Sequence, residues 1–318
     1  MRPPSSPRRG FSLIELLVVM AVIGILTSLL LAGIQAVREA GRRTSCQNNL
    51  KNVATAVRTF ESQRGFYPNN WGTTSDTAAS GVGQSWMTCI LPQVELQRVF
   101  DQVKSGQPIS SNQAVYKTVV PVFRCPSDGG DGTATNQAFA VGQTVAVTSY
   151  KAVAGGNWAG YSSDTATKYC KNDKGYRGRY FTSYDGRDQG DGVICRGYNS
   201  TTGVQTGDME IRDGAGNTFM LGETSSDYSA FAAWFWFNGS TGTCGLPPNY
   251  TATGKTREEM AGDWTASYGF HSKHPGLLNF AFCDAQVRAV SADVDIYIYR
   301  AFASIDGNEP YTLADLGF

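Results

Sequence analysis

The sequence has little charge and almost no histidine. Among its 318 residues, 27 Lys and Arg balance 27 Asp and Glu, charged residues make up 17%, and only two residues are His. An average soluble domain is about 25% charged, and domains that hold nucleic acid by bulk positive charge are strongly basic. The composition therefore excludes that class of nucleic-acid-binding protein. Two His residues also make multi-His metal centres and His-based proton relays poor candidates.

Several motifs that carry catalysis or cofactor binding are absent as well. The chain contains no GxGxxG unit, no P-loop, no GxSxG and no CxxC. These absences argue against dinucleotide and nucleotide binding, against a serine-hydrolase nucleophile, and against zinc ribbons and thioredoxin-like redox chemistry. We therefore expect a protein that is not an enzyme. The 36 Gly residues favour turns and short strands over long helices.

The N-terminal segment is basic and then strongly apolar. Residues 1–10 hold three Arg, three Pro and no acid, whereas residues 11–37 hold one acid, Glu15, and no base. A helix over the 19 residues 16–34 would rise about 28 Å, close to the hydrocarbon thickness of a bilayer. The pattern predicts one membrane span, and the three Arg predict that its N-terminal end stays in the cytoplasm.

Other interpretations of this segment fit less well. A cleaved secretory signal has a shorter apolar region. The pair Arg8-Arg9 resembles a twin-arginine signal, but Glu15 and the long apolar run argue against it. An ordinary signal anchor fits the length and leaves Glu15 unexplained, although a carboxylate costs roughly 2.5–3.5 kcal/mol near the bilayer centre.

The residues Gly10-Phe11, followed by Glu15 and the apolar run, resemble the N-terminus of type IV pilins and pseudopilins. The resemblance implies that prepilin peptidase cleaves between Gly10 and Phe11 and that Phe11 is N-methylated. It also implies that the Glu15 carboxylate pairs with the terminal amine of a neighbouring pilin-like subunit, so that a buried charge sets the register of assembly.

Downstream of the apolar run, the sequence predicts an α+β protein in which the N-terminal helix packs on a β-rich, pilin-like head. The predicted parts are a leader (1–10), a transmembrane segment (11–37), an amphipathic stalk helix (38–65) and an extracytoplasmic head (66–318) with an insertion around 155–192. An apolar stripe on the stalk is expected to dock onto the head, because its members recur at steps of three and four: Leu50, Val53, Ala54, Val57 and Phe60.

Within the head the elements are expected to be short. Gly65 and Pro68 predict the end of the stalk helix. A second helix over 86–103 is expected to break near Pro92. The remaining predictions are strands at 119–123, 145–153, 192–198, 217–222, 232–237, 278–283 and 286–290, and a helix at 297–304.

Four segments of the chain are similar to the bacterial pilin-like family DUF1559. They begin at Cys46, Val122, Arg212 and His274, and they read CQNNLK, VFRCPSD, RDGAGNT with a following LGE, and HPGLLNFAFCD. Ala285 replaces the Gly that follows the family's final Asp, and Ala tolerates positive φ poorly. The resemblance implies a pilin-like architecture and no established activity. Its motif residues are Cys46, Cys125, Asp213, Gly214, Asn217, Glu223, His274 and Asp284.

Two groups of residues are candidate metal ligands. His271, His274 and Asp284 could hold a metal, as in a metallohydrolase. The favoured interpretation is structural, with His274 in a turn and its ring bonded to backbone or to Asp284. Asp185, Asp188 and Asp191 stand among Gly residues and could bind calcium, but Asp and Gly in turns explain the same letters.

The chain has seven Cys residues, one in the stalk and six in the predicted extracytoplasmic head, and disulfides persist outside the cytoplasm. Cys46 with Cys125 would join the stalk to the head, and Cys170 with Cys195 would close the insertion, although connectivity cannot be derived from sequence alone. Cys283 is expected to be a buried thiol.

These observations predict a membrane-anchored, single-pass pseudopilin-like protein of the bacterial cell membrane. It would serve a pilus or secretion system, such as type II secretion, with prepilin peptidase and other pilin-like subunits as partners and no nucleic acid. The alternative is a signal-anchored module that binds carbohydrate or another surface through Tyr residues of the insertion. The aromatic run at 231–237 is expected to lie in the core.

Overall fold

The N-terminal apolar run and the basic stalk form one continuous helix. The computed structural model describes residues 12–73, 81–135, 137–138, 142–156, 190–198, 205–251, 259 and 266–317. Helix α1 spans Leu13–Arg64, and the chain divides into two compact units, Met1–Arg42 and Arg43–Phe318. The predicted boundary between membrane segment and stalk, at 37–38, stays a prediction because α1 runs through it without interruption.

Helix α1 ends where the sequence predicted. Gly65 has φ +80 and donates its N–H to the carbonyl of Glu61 over 2.7 Å. A residue in this left-handed conformation ends a helix, and Gly adopts it without a Cβ clash.

The second unit is built around a five-stranded sheet in the order β10-β9-β7-β5-β8. All pairs are antiparallel except β5 with β8. Two smaller sheets, β2-β1-β6 and β3-β4, lie outside it. The strands are β1 (Trp71–Gly72), β2 (Gly83–Gln84), β3 (Thr133–Ala134), β4 (Val145–Ala146), β5 (Tyr150–Val153), β6 (Gly197–Tyr198), β7 (Phe219–Glu223), β8 (Thr241–Gly242), β9 (Leu277–Phe282) and β10 (Val287–Ser291). The fold is α+β, as predicted.

The other α-helices in the described part of the chain are short. After α1 come α2 (Trp86–Cys89), α3 (Gln97–Phe100), α4 (Gln113–Tyr116) and α5 (Ile296–Ala301). The expected break near Pro92 is present, because a 3-10 turn at Pro92–Val94 separates α2 from α3. Pro lacks the N–H that an uninterrupted α-helix would need there.

The predicted docking stripe of α1 is buried in the second unit. Leu50, Val53, Ala54 and Val57 have no exposed surface, and Phe60 packs against the same core while partly exposed. The prediction that the stalk docks onto the head is confirmed.

Two predicted strands are wrong. Residues 119–123 hold a 3-10 turn, Pro121–Phe123, since Pro121 has no N–H for a strand ladder. Residues 232–237 form turns with a single bridge between Ala233 and Val147. Their aromatic side chains are nevertheless buried, as expected for core, and Trp234 Nε1 donates to the carbonyl of Thr118 over 3.0 Å.

Three other predictions were too long. The segment 145–153 contributes β4 and β5, which belong to different sheets. Only Gly197–Tyr198 of the segment 192–198 is a strand. The closing helix is Ile296–Ala301, shorter than the expected 297–304, and it begins with the Asp295 side chain accepting from the N–H of Tyr297. An Asp at this position caps the helix, because its carboxylate accepts a hydrogen bond from a backbone N–H of the first turn that has no partner within the helix.

Candidate functional sites in the apolar helix and in the head

The carboxylate of Glu15 lies at the N-terminal end of α1. Glu15 Oε2 accepts a hydrogen bond from the N–H of Ser12 over 2.9 Å. The first N–H groups of a helix have no partner within the helix, and an acid there also interacts favourably with the helix dipole. Gly10 and Phe11, the predicted processing residues, lie outside the described residues.

None of the described side chains in the apolar part of α1 is buried. Leu13, Leu16, Ile25 and Leu29 are examples of its exposed large hydrophobic residues. The helix is apolar enough, with a mean hydropathy of 2.7 over an 18-residue window, and long enough to cross a membrane. Such an apolar surface needs either lipid or other apolar helices around it.

The hydroxyl groups inside this apolar run are satisfied by the helix itself. Thr27 donates to the carbonyl of Ile23 over 2.8 Å, and Ser28 donates to that of Ile25 over 2.8 Å. Because these groups bond locally, they do not prevent the helix from lying in an apolar medium.

In the head, residues from four chain segments converge on one buried point. Cys46 comes from α1, Cys125 from the loop after the Pro121–Phe123 turn, Glu223 from the end of β7 and His274 from the loop before β9. One ligand-type atom of each lies within 4.8 Å of the others, and all four residues are buried. We call this group the Cys-Cys-Glu-His cluster. Each member comes from a different one of the four sequence segments that resemble DUF1559.

Cys125 and Glu223 both approach the same ring nitrogen of His274. Nε2 of His274 lies 3.6 Å from Sγ of Cys125 and 3.5 Å from Oε1 of Glu223. Asp284 instead pairs with Arg288 over 3.2 Å. The Asp284 carboxylate thus has a partner other than His274, and the contacts of Nε2 with Glu223 and Cys125 were not predicted from the sequence.

The Glu223 carboxylate is held from the next strand. Asn279 on β9 donates its backbone N–H to Oε2 and its side-chain amide to Oε1, both over 2.8 Å. Gln47 on α1 donates to Oδ1 of Asn279 over 3.0 Å. This network fixes the carboxylate in one orientation, since each of its oxygens accepts at least one hydrogen bond.

Cys46 and Cys125 form a disulfide with a Cα–Cα distance of 4.6 Å across a sequence separation of 79. This is the pairing proposed from the sequence, and it joins α1 to the head. Cys283 is a buried thiol, as expected, and burial raises its pKa well above the usual range. The proposed pair of Cys170 and Cys195 cannot be assessed, because Cys170 lies outside the described residues.

A set of charged residues around Asp128 was not predicted from the sequence. Two of its members, Arg124 and Lys273, directly precede the cluster residues Cys125 and His274. Asp128 accepts from Ser149 and Ser225, and Arg124 lies 3.3 Å from its carboxylate. Lys273 donates to the carbonyl of Asp128 over 2.7 Å. Only the close spacing of Arg124 with Asp128 was visible in the sequence, because the other partners are distant along the chain.

The other family-motif residues build turns. Asp213 accepts from the N–H groups of Gly307 and Asn308, each over 2.7 Å, and Gly214 has φ +92. Asn217 donates its side-chain amide to the carbonyl of Asp213 over 3.3 Å. Asp284 accepts from the N–H of Gln286 over 2.8 Å in the β9–β10 turn. These side chains hold backbone segments and do not converge on the cluster.

His271 has its own surroundings. Its ring stacks on Tyr228 with centroids 5.2 Å apart, and Nε2 lies 3.0 Å from the carbonyl oxygen of Tyr250. Burial lowers its pKa to about 4. The candidate metal group of His271, His274 and Asp284 is therefore divided among three separate sets of contacts.

The calcium candidate is largely outside the described part of the chain. Asp185 and Asp188 lie there, as do the Tyr residues of the insertion. Asp191 is described and is 1% exposed, and burial raises its pKa well above the usual value. A buried carboxyl whose charged form is disfavoured differs from the exposed loop ligand that the sequence predicted.

A groove beside the end of α1 was also missed. Its volume is about 490 Å³, and aromatic rings and side-chain amides make up most of its lining. Because these residues lie at irregular intervals between positions 60 and 100, no sequence pattern marks them. We call it the aromatic–amide groove; it is lined by Phe60, Arg64, Phe66, Asn69, Trp71, Gln84, Cys89, Pro92, Gln93, Gln97 and Phe100.

Comparison with known proteins identifies two parts of the chain. Residues 35–296 match the family described as "Protein of unknown function (DUF1559)", and residues 5–31 match the family described as "Prokaryotic N-terminal methylation motif". The second match spans Gly10, Phe11 and Glu15. No curated protein and no solved structure matches the chain.

Proposed function

The chain belongs to the DUF1559 family and begins with the N-terminal methylation motif of type IV pilin-like proteins, and from this premise we propose that it is a structural subunit that assembles through helix α1. The motif and the apolar helix indicate a prepilin-peptidase substrate anchored in a membrane. Three further statements belong to the proposal. The subunit assembles with other pilin-like subunits, it acts as a pseudopilin in a secretion or pilus-type system, and its head lies outside the cytoplasm.

The observation that carries the proposal is the combination of Glu15 with the apolar surface of α1. Large hydrophobic side chains in the described part of the first unit are exposed, for example Leu13 at 81% and Leu29 at 69%. In lipid, apolar helices gain little from the hydrophobic effect when they associate, so polar groups and close packing decide their register. A single carboxylate at the start of the run is suited to that role.

A pairing partner for Glu15 would arise from processing. Cleavage after Gly10 would create a positively charged amine on Phe11, four residues before Glu15. A carboxylate in an apolar medium is stabilised by an opposite charge, and the amine of an adjacent subunit can supply it. The structure describes one chain, in which the Glu15 carboxylate accepts from Ser12.

The head fits the role of a rigid body carried by the helix. The disulfide between Cys46 and Cys125 and the buried stripe from Leu50 to Val57 fasten the second part of α1 to the head. A force acting on residues 46–57 of α1 is therefore transmitted to the head through the disulfide and through the buried apolar side chains. This attachment supports the proposed structural role.

The assembly role is tested by comparing Glu15→Gln with Glu39→Gln. Glu39 is a matched control, because it is an acid on the same helix whose carboxylate pairs locally with Arg42 over 2.7 Å. In cells with the matching assembly machinery, we expect Glu15→Gln to be cleaved normally but to enter the filament or complex at least tenfold less. We expect Glu39→Gln to assemble like the wild type. Equal incorporation of both variants would contradict the assembly role of Glu15.

A second candidate function, carbohydrate binding, is favoured by the aromatic–amide groove. Sugar rings stack on aromatic faces, and their hydroxyl groups bond to amides such as Gln84 and Gln97. The groove, unlike the insertion, lies within the described residues. A glycan array probed with the full-length protein in detergent would test this function. Binding that is lost in Trp71→Ala but kept in Tyr297→Ala, an exposed aromatic outside the groove lining, would support it, and no glycan binding would reject it.

A further inference from the structure

The Cys-Cys-Glu-His cluster brings together the residue types of a metal site. Two sulfur atoms, one imidazole nitrogen and one carboxylate are a ligand set that suits zinc, which favours Cys, His and acidic ligands in tetrahedral sites. The four residues come from three loops or strand ends and from α1, so a bound ion would join separate parts of the head.

Two distances within the cluster match a shared central ion, whereas the two sulfur atoms are bonded to each other and must separate before both can be ligands. Zinc ligands lie about 2.0–2.3 Å from the metal, and a tetrahedral arrangement then separates them from one another by roughly 3.3–3.8 Å. Nε2 of His274 is 3.6 Å from Sγ of Cys125 and 3.5 Å from Oε1 of Glu223. Both distances fall within that interval and exceed the usual length of an N–H···O hydrogen bond.

A proton relay explains the same geometry less well. In a Cys-His-acid triad, the sulfur contacts one ring nitrogen and the acid contacts the other. Here both groups face Nε2, and a ring nitrogen can bond in its plane to one partner. The convergence on a single nitrogen is the arrangement expected of ligands around a common ion.

The surroundings of the acid also resemble those of a metal ligand. Asn279 donates two hydrogen bonds of 2.8 Å to the Glu223 carboxylate and keeps it oriented. Such outer contacts orient metal ligands and tune their basicity. Both residues are buried, and a buried carboxylate is stabilised by a nearby cation.

We propose that the cluster binds one zinc ion when the disulfide between Cys46 and Cys125 is reduced. A dithiol reductant supplies two electrons and two protons to break the S–S bond, and zinc binding then releases both thiol protons. The two thiolates, Nε2 of His274 and the carboxylate of Glu223 are the four ligands. A disulfide oxidant reverses the step: it takes up the two electrons of the thiolates and two protons to become a dithiol, the S–S bond between Cys46 and Cys125 re-forms, and the zinc ion is released. The disulfide and the zinc site are thus alternative ways to join α1 to the head. This inference does not depend on the proposed assembly function.

The test compares reduced and oxidised full-length protein in detergent micelles without oxygen. After the reductant is removed, zinc is added, excess is washed away, and bound zinc is counted per chain. We expect one zinc per reduced chain and none per oxidised chain. Cobalt in place of zinc should show the thiolate-to-cobalt absorption of a tetrahedral site.

Variants identify the ligands. His274→Gln and Glu223→Gln should each weaken zinc binding at least tenfold in the reduced protein, and Cys46→Ser should remove the thiolate-to-cobalt absorption contributed by its sulfur. Cys89→Ser is the matched control, because Cys89 is another buried thiol outside the cluster, and it should bind like the wild type.

Circular dichroism of each sample separates loss of the site from loss of the fold. The proposal is overturned if reduced, folded wild-type protein binds no more zinc than the Cys46→Ser/Cys125→Ser double variant. It is equally overturned if the reduced wild type loses its secondary structure with zinc present, since the site requires the folded head to bring the ligands together.

Discussion

At the scale of single residues, the turn between β9 and β10 stores strain at Ala285. Its φ is +60, a conformation that costs an L-residue roughly 1–2 kcal/mol and costs Gly little. The sequence drew attention to this position, because Ala285 stands where the DUF1559 pattern has Gly. The structure shows that the backbone keeps the left-handed conformation in spite of the substitution.

Ala285→Gly should therefore stabilise the head by about 1 kcal/mol. Ala289→Gly is the control on β10 of the same hairpin, and we expect it to destabilise by about 0.5–1 kcal/mol, because Gly in a strand loses more conformational entropy on folding. Urea unfolding of both variants measures the difference. An Ala285→Gly variant that is less stable than the wild type would show that the turn is not strained.

The buried ring of His271 predicts a dependence of stability on pH. Nε2 contacts the carbonyl of Tyr250, and Nδ1 is buried with no hydrogen-bond partner among the described residues. A second proton on the ring would be buried and unpaired, which explains why burial lowers the pKa to about 4.

Since the unfolded pKa is about 6.5, the unfolded chain binds more protons than the folded chain between pH 4 and 6.5. The His271 contribution to stability is thus complete above pH 6.5 and is lost as the pH falls toward 4, by at most on the order of 3 kcal/mol. An NMR titration of His271 measures its pKa directly. A midpoint near 6.5 in the folded protein would contradict the expectation.

At the scale of elements, the disulfide is the strongest single link between α1 and the head. It closes a loop with a sequence separation of 79, and a cross-link over a loop of that length stabilises a fold by about 2–4.5 kcal/mol, chiefly by restricting the unfolded chain. The buried stripe on α1 adds packing on the same helix.

The Cys46→Ser/Cys125→Ser double variant should accordingly lose about 2–4.5 kcal/mol of unfolding free energy relative to the oxidised wild type. The measurement is urea unfolding in the presence of a metal chelator, which prevents any metal from replacing the link. Cys283→Ser, which removes a buried thiol that forms no disulfide, separates the loss of the link from the loss of a buried sulfur. An unchanged unfolding midpoint for the double variant would show that packing alone holds α1 to the head.

The sequence predicts some elements well and others poorly, for physical reasons. Helix α1 and the β9–β10 hairpin have local signals: a long apolar run, a terminal Gly65, and two short apolar runs separated by a turn. Residues 232–237 have the letters of a strand, yet tertiary contacts such as that of Trp234 with Thr118 hold them in turns. Strand propensity measures how well a side chain fits a half-buried surface, and the core can offer the same fit without a ladder.

The candidate sites also differ in whether neighbours along the chain or tertiary contacts bring their residues together. The role of Glu15 could be predicted from neighbours along the chain, and it stays a prediction. The Cys-Cys-Glu-His cluster was not predicted, although each member stands in a recognised motif, because the segments lie far apart in sequence and meet only through β7, β9 and α1. The sequence predicts that the His274 ring bonds backbone or Asp284, and the structure places the carboxylate of Glu223 3.5 Å from its Nε2.

At the scale of the whole molecule, the charge balance belongs to the unprocessed chain. Residues 1–10 carry three of the 27 basic residues and none of the 27 acids, so their removal would change the net charge from zero to −3. The leader's positive charge favours a cytoplasmic N-terminus during insertion, and the proposed cleavage removes it afterwards. The same cleavage would create the amine that the proposed assembly requires.

Mass spectrometry of the N-terminus tests this account most directly. The protein is expressed with prepilin peptidase and, as a control, without it, and the intact chain and its N-terminal peptide are weighed. The account predicts that the peptidase yields a chain without residues 1–10 that begins with a methylated Phe11, and that its absence leaves the leader attached. An intact Met1 in the presence of an active peptidase, or a terminus at any residue other than methylated Phe11, would contradict it.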